Sequence, residues 1–151
     1  MTTELRSIGD KIAGARAAAN TAVTAGGAGD NTLVTGDIID LAAYGWPESA
    51  VLMIPWVTTL AAAATLTIGG VVQTGPDDAL ASVRTLQTIT GAVVRTGAVT
   101  GGKGMREVNV SLRGADRYLR GNFTPDLSAA NTDTAALSAV WVFGGAERLP
   151  V

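Results

Sequence analysis

Residues 97–104, GAVTGGKG, come close to the phosphate-cradling pattern G-x-x-x-x-G-K-[ST]. Gly97, Gly102 and Lys103 fit. Gly104 stands where a magnesium-binding hydroxyl is required, and the following MREVNVSL alternates like a strand where the phosphates need a helix N-terminus. A hairpin loop accounts for the stretch. The close carboxylate pairs are Asp37 with Asp40 and Asp77 with Asp78. The first two point to opposite faces of a strand, and the second two follow Pro76 in a turn, so neither pair is set across a substrate as acid–base hydrolysis requires. No serine lies in a nucleophile-elbow context. The chain has no His and no Cys, which removes the commonest general base, the commonest metal ligand and all thiolate chemistry. The expectation is a non-enzyme with no catalytic residue, no metal and no cofactor.

Residues 116–124, DRYLRGNFT, set two arginines beside a tyrosine. In an extended chain Arg117, Leu119, Gly121 and Phe123 fall on one side, and Tyr118, Arg120, Asn122 and Thr124 on the other. Arginine forks grip carboxylates with two hydrogen bonds and tyrosine supplies amphipathic contact area, so both suit a protein interface. With Arg106 and Arg113 from the run before, the expected interface residues are Arg106, Arg113, Arg117, Tyr118 and Arg120. The plainer alternative makes Tyr118 a core residue with solvated arginines beside it. A stacking groove for single-stranded nucleic acid would use the same residue types, but a pI of about 4.9 is wrong for that role. Asn109-Val-Ser111 and Asn122-Phe-Thr124 match the glycosylation sequon, yet both lie inside predicted strands.

The elements that position these residues are short. LVTGDIIDL (33–41), AVLMIPWVT (50–58), TLTIGGVVQ (65–73), VRTLQTIT (83–90), AVVRTG (92–97), REVNVSLRG (106–114), DRYLRGNFT (116–124) and AALSAVWVFG (135–144) are rich in Val, Ile, Thr and aromatics and are separated by turn formers. In REVNVSL, Val108, Val110 and Leu112 face in, and Glu107, Asn109 and Ser111 face out. About eight such strands in 151 residues predict one all-β sandwich or jelly roll. AALSAVWVF is apolar on both faces, which places it centrally in a sandwich or against a partner. AVLMIPWV reads the same way, with Pro55 pointing to an edge or a bulge. Residues 1–30 run out into Ala, Thr and Gly and predict an arm, with the sandwich domain over 31–151.

Charge is unevenly spread. No Lys or Arg occurs between Ala17 and Val83, where six acidic residues stand, while seven basic residues against two acidic ones between Arg84 and Arg120 give +5. Two faces of opposite sign suit docking onto other proteins or onto further copies of the chain. The opening MTTELRSIGDK is acidic where a signal peptide needs an apolar segment. The uncharged stretch from Ser49 to Pro76 is long enough to span a bilayer. Pro55, the threonines Thr58, Thr59, Thr65 and Thr67, Gly69–Gly70 and the lack of flanking cations favour two buried strands instead, so no membrane partner is expected.

The order of an apolar strand near IIDLAAYGWPESAVLMIPWV, the threonine-bearing TLTIGGVVQTGPDDAL, a Gly/Thr-rich loop, the pair VSLRGADRYLRGNFT and the closing ALSAVWVFGG resembles the capsid cement (decoration) proteins of tailed bacteriophages. Arg117-Tyr118-Leu119-Arg120 running into Asn122-Phe123-Thr124 is the most specific stretch, and Ile39-Asp40-Leu41 a weaker one. The resemblance covers residues 30–145. It implies a jelly-roll-like β-sandwich without enzymatic activity that sits on the outer surface of the phage head, after assembly in the bacterial host cytoplasm. It also implies bridging of major capsid protein subunits and pairing with copies of itself, a dimer above all. No nucleic-acid partner is implied. The rival of another class is a carbohydrate-binding β-sandwich module of a phage tail or secreted protein, which needs an exposed aromatic platform.

Overall fold

The computed structural model describes residue 9 and residues 11–97, 101–128 and 132–146. Eight strands follow in order: β1 Ile12–Thr24, β2 Ile39–Asp40, β3 Pro47–Thr59, β4 Thr65–Gly75, β5 Arg84–Thr96, β6 Gly102–Ser111, β7 Tyr118–Leu127 and β8 Thr134–Ala146. A single 3-10 turn, Leu41–Tyr44, separates β2 from β3. The strands form two antiparallel sheets ordered β1-β8-β3-β6 and β2-β7-β4-β5. The first strand pairs with the last, the second with the seventh, the third with the sixth and the fourth with the fifth. That nesting is one long hairpin of paired strands wrapped into two sheets, the jelly-roll arrangement.

Alternation fills the space between the sheets. From β3 come Leu52 and Ile54, from β8 Leu137, Trp141 and Phe143, from β4 Leu66, Ile68 and Val72, and from β7 Leu119 and Phe123, all 0–2% exposed. Each such side chain contributes on the order of 1.5–3 kcal/mol by leaving water. The uncharged run from Ser49 to Pro76 resolves into β3 and β4 joined by a turn, and among the described residues no helix is long and apolar enough to cross a membrane.

Three expectations are corrected. The boundary at residue 30 does not coincide with a break in the fold, because Ile12–Thr24 is β1, paired with β8 along its length. Ala17, Ala18 and Val23 lie in the core; residues 1–8 and 10 lie outside the described set. Small side chains suit β1 because the segment 33–38 crosses it closely, with the Asp37 amide donating to the Ala17 carbonyl at 2.7 Å. Pro55 is on neither an edge nor a bulge: β3 is central, between β8 and β6. The β3–β8 pairing instead skips Ile54 and Pro55 between Met53↔Val140 and Trp56↔Leu137, while Pro55 stays opposite Met105 of β6. The missing proline donor thus falls where the ladder has a gap. Finally, 83–90 and 92–97 are one strand, β5. Gly91 passes 3.3 Å from where a Cβ on Gly69 would stand, next to a register shift between Ile68 and Gly70, so the glycine serves a close approach of strands rather than a turn.

Candidate interaction surfaces

β7 carries the arginine–tyrosine stretch, hydrogen-bonded to β2 on one side and β4 on the other. Leu119, Gly121 and Phe123 face the core as alternation requires. Position 121 is glycine because Trp141 fills its place from the opposite sheet: a Cβ there would lie 2.8 Å from Cζ2 of that indole. Asn122 is buried where the segment 33–38 passes. Its Oδ1 accepts from the Gly36 amide at 3.0 Å, and its Nδ2 donates to Gln73 Oε1 at 2.9 Å. The same Gln73 oxygen accepts from Arg120 Nη2 at 2.9 Å.

Arg117 grips Asp40 with Nε at 3.0 Å and Nη2 at 2.8 Å. Its guanidinium also stands 5.3 Å from the centroid of the Tyr118 ring, within cation–π range. The Arg117 hydrogen bonds hold the Asp40 carboxyl below its ordinary range, with the Ala42 amide helping and burial opposing. Asp40 in turn pushes the Arg117 guanidinium further up. Arg113 makes a looser ion pair with Glu48 at 3.3 Å, its side chain 79% exposed. Arg106 has a different setting. It faces in from β6, and its Nη2 donates to the Thr90 carbonyl of the other sheet at 2.7 Å while Nη1 donates to that of Ile68.

The five arginine and tyrosine positions therefore do not form one cluster. Arg113, Arg117 and Tyr118 share the end of the sandwich formed by the loops before β3, β5 and β7. Arg84 joins them, paired with Asp116 at 2.9 Å, and Arg120 and Arg106 lie deeper, in internal hydrogen bonds. Trp46, not picked out from the sequence, belongs to this end. It is 45% exposed and has a left-handed φ of 55°, directly after Gly45 at 72°. With Leu41, Pro47, Arg113 and Ala115 it lines a depression of about 350 Å³. The signal for it was Gly-Trp-Pro ahead of a strand. A left-handed tryptophan costs on the order of 1–2 kcal/mol, offset here by the Trp46 amide donating to the Leu41 carbonyl at 3.0 Å.

The outward face of the β1-β8-β3-β6 sheet is a second surface. Along β8 it presents Ala136, Ser138, Val140 and Val142, and along β3 Val51, Met53, Pro55 and Val57, with Met105 beside them on β6. Val57 is 59% exposed, Met105 44%, Ile12 42% and Val140 38%. The both-sided apolarity of AALSAVWVF thus divides: Trp141 and Phe143 are core, while Val140 and Val142 look outward. One end of this face dips into a depression of about 620 Å³ between Ile12, Val51, Asn109, Ser111, Val142 and Gly144.

Gly104, the residue that spoils the phosphate-loop pattern, lies in β6 opposite Trp56. A Cβ there would come 2.5 Å from the indole, so packing explains it. Residues 98–100 of that pattern lie outside the described set. Asp77 caps its own loop, accepting from the Ala81 amide at 2.8 Å and the Ser82 amide at 3.3 Å. Among the described residues no three acidic side chains gather to hold a metal ion.

No family model matches the chain, and no curated protein matches it. Solved structures similar to it include a point mutant of the VP2 protein of infectious bursal disease virus in derived T=1 particles, 15% identical with a TM-score of 0.44 over 89% of this chain and 32% of that one. A structure of the Gx strain of infectious bursal disease virus is 12% identical, with a TM-score of 0.44 over 93% and 34%. Another T=1 particle derived from the virus is 13% identical, with a TM-score of 0.42 over 91% and 34%. This chain spans about a third of the length of those proteins. The likeness is distant, and no role is taken from it.

Proposed function

We propose that this chain is a structural virion protein that binds the outside of a tailed-phage head, bridges neighbouring major capsid subunits and stabilises the mature shell without covalent chemistry. The observation that carries the reading is the loop end of the sandwich, where Trp46, 45% exposed, and Arg113 border a shallow depression near Arg117 and Tyr118. Exposed arginine and aromatic side chains of this kind are what protein interfaces favour. Arg113 is the freest of the cations there, and an acidic partner would draw it from Glu48. The carbohydrate-binding reading has Trp46 in its favour, but Trp56 and Trp141 are buried, and one exposed indole is not a stacking platform.

Cosedimentation with purified tailed-phage heads tests the proposal. Saturable binding that weakens as salt rises is expected, since exposed charge pairs are screened over about 8–10 Å at ordinary ionic strength. Absence of binding at any salt concentration, with retention on a polysaccharide matrix, would transfer the role to the carbohydrate reading.

A further inference from the structure

We infer that the outward face of the β1-β8-β3-β6 sheet receives the same face of a second copy of this chain, about a two-fold axis running parallel to the strands. This deepens the assembly reading, although its test needs no shell. The register sets outward residues in rows across the sheet. One row is Arg16, Val140, Met53 and Glu107, the next Gly14, Val142, Val51 and Asn109, and a third Ala22, Ala136, Val57 and Lys103. In each row the two central strands contribute only apolar side chains. In the first, the ends carry opposite charges.

That polarity chooses the symmetry. A two-fold along the strands turns each row end for end over its own copy, so Arg16 meets Glu107 of the second copy, Glu107 meets the second Arg16, and Val140 covers Met53. A two-fold lying across the strands would lay β1 on β1 and β6 on β6, which stacks like charges when the axis runs through this row and leaves Arg16 without Glu107 when it runs through any other. The charges are available. Arg16 gives its Nε to Asp37 at 2.7 Å but keeps its side chain 68% exposed, and Glu107 is exposed and in no ion pair among the described residues. In the other rows the small Gly14 and Ala22 lie opposite Asn109 and Lys103 of the second copy, leaving room for the longer side chains. Two such sheets would pack about 10 Å apart with strands nearly aligned.

Sedimentation velocity on the full chain over a concentration series tests this, with circular dichroism confirming that each variant is folded. The wild-type chain should dimerise. Val140→Asp should weaken the dimer by roughly a hundredfold, as a charge buried at the centre of an interface does. If that variant does not fold, Val57→Asp, at the most exposed of these apolar positions, makes the same test. Arg16→Glu and Glu107→Arg should each weaken the dimer about tenfold, and the two together should return it to within about threefold of wild type. A wild-type monomer at every concentration, a Val140→Asp dimer as tight as wild type, or a double reversal weaker than either single change overturns the pairing. A monomer whose Val140→Asp variant also loses head binding gives the face to the shell protein and likewise overturns it. An intact dimer that ignores heads upholds the pairing and removes the shell reading instead.

Discussion

The guanidinium of Arg106, carried on β6, donates to the carbonyl oxygen of Thr90 in the opposite sheet at 2.7 Å. Its second nitrogen donates to the Ile68 carbonyl beside the register shift in β4. One side chain thus supplies donors to two carbonyls where the ladder between β4 and β5 is irregular, and ties the two sheets at their β5–β6 side. Burial pushes its pKa down, yet a guanidinium stays protonated.

Arg106→Leu should therefore cost roughly 1–2 kcal/mol, chiefly because the part-buried Ile68 carbonyl loses its donor. Arg106→Lys should recover only part, because a single ammonium cannot reach both carbonyls as the fork does. Urea unfolding of the three proteins checks this. Equal midpoints would show that Arg106 is an ordinary surface cation.

The Arg117–Asp40 pair sets the acid limit. Because the folded-state pKa of Asp40 lies below its unfolded value, the stabilisation it contributes is complete above about pH 4 and is lost as pH falls through the lowered folded value. Asp77, depressed by the Ala81 and Ser82 amides, acts in the same direction. With no histidine in the chain, the melting temperature should be nearly flat between about pH 6 and 8. Below about pH 4 it should fall, and Asp40→Asn should flatten part of that fall. Both groups are largely solvated, so the effect is modest. A melting temperature that rises on acidification would contradict the sign.

Gly36→Ala should be among the most damaging single changes. A Cβ at this position would collide with the backbone oxygen of Gly121 and lie 2.7 Å from that of Ala17. Neither is a flexible side chain, so the segment 33–38 would have to lift from Asn122. A loss of about 3–5 kcal/mol, or no soluble protein, is expected, and a thermal melt like that of wild type would refute the packing described.

Deleting residues 2–28 removes β1. The edge of β8 is then uncovered, and the contacts of Ala17, Ala18 and Val23 with the core are lost. The melting temperature should fall by more than about 10 °C, given roughly 2–4 °C per kcal/mol at this size, or cooperative unfolding should vanish. A truncated chain that melts like the full one would make these residues an appendage after all.

What could be read in the sequence depended on whether local pattern or pairing decides. The alternation of Val108, Val110 and Leu112 belongs to one strand and is visible directly. Parity along that strand also puts Arg106 on the inner face, a signal present in the sequence but outweighed there by its charge. β1 has no such signal: IAGARAAANTAVT is strand because β8 offers it a partner, and tertiary context overrides propensity. Conversely, Gly91 looks like a break until β4 is seen pressing against it. The row Arg16, Val140, Met53 and Glu107 joins four strands distant in the chain, so only the register reveals it.

The central claim is that this chain stabilises a phage shell by binding it, and heat resistance of the shell tests it most directly. Heads stripped of the protein and heads given it back would be heated in parallel while genome release is followed by dye fluorescence. A protein bound at about 100 times its dissociation constant adds roughly 2.7 kcal/mol per site, summed over many sites on a closed surface. The re-decorated heads should therefore release DNA at a clearly higher temperature, and the difference should shrink as the protein is diluted below saturation. Stripped and re-decorated heads that release DNA at the same temperature, with the protein shown to be bound, would contradict the account.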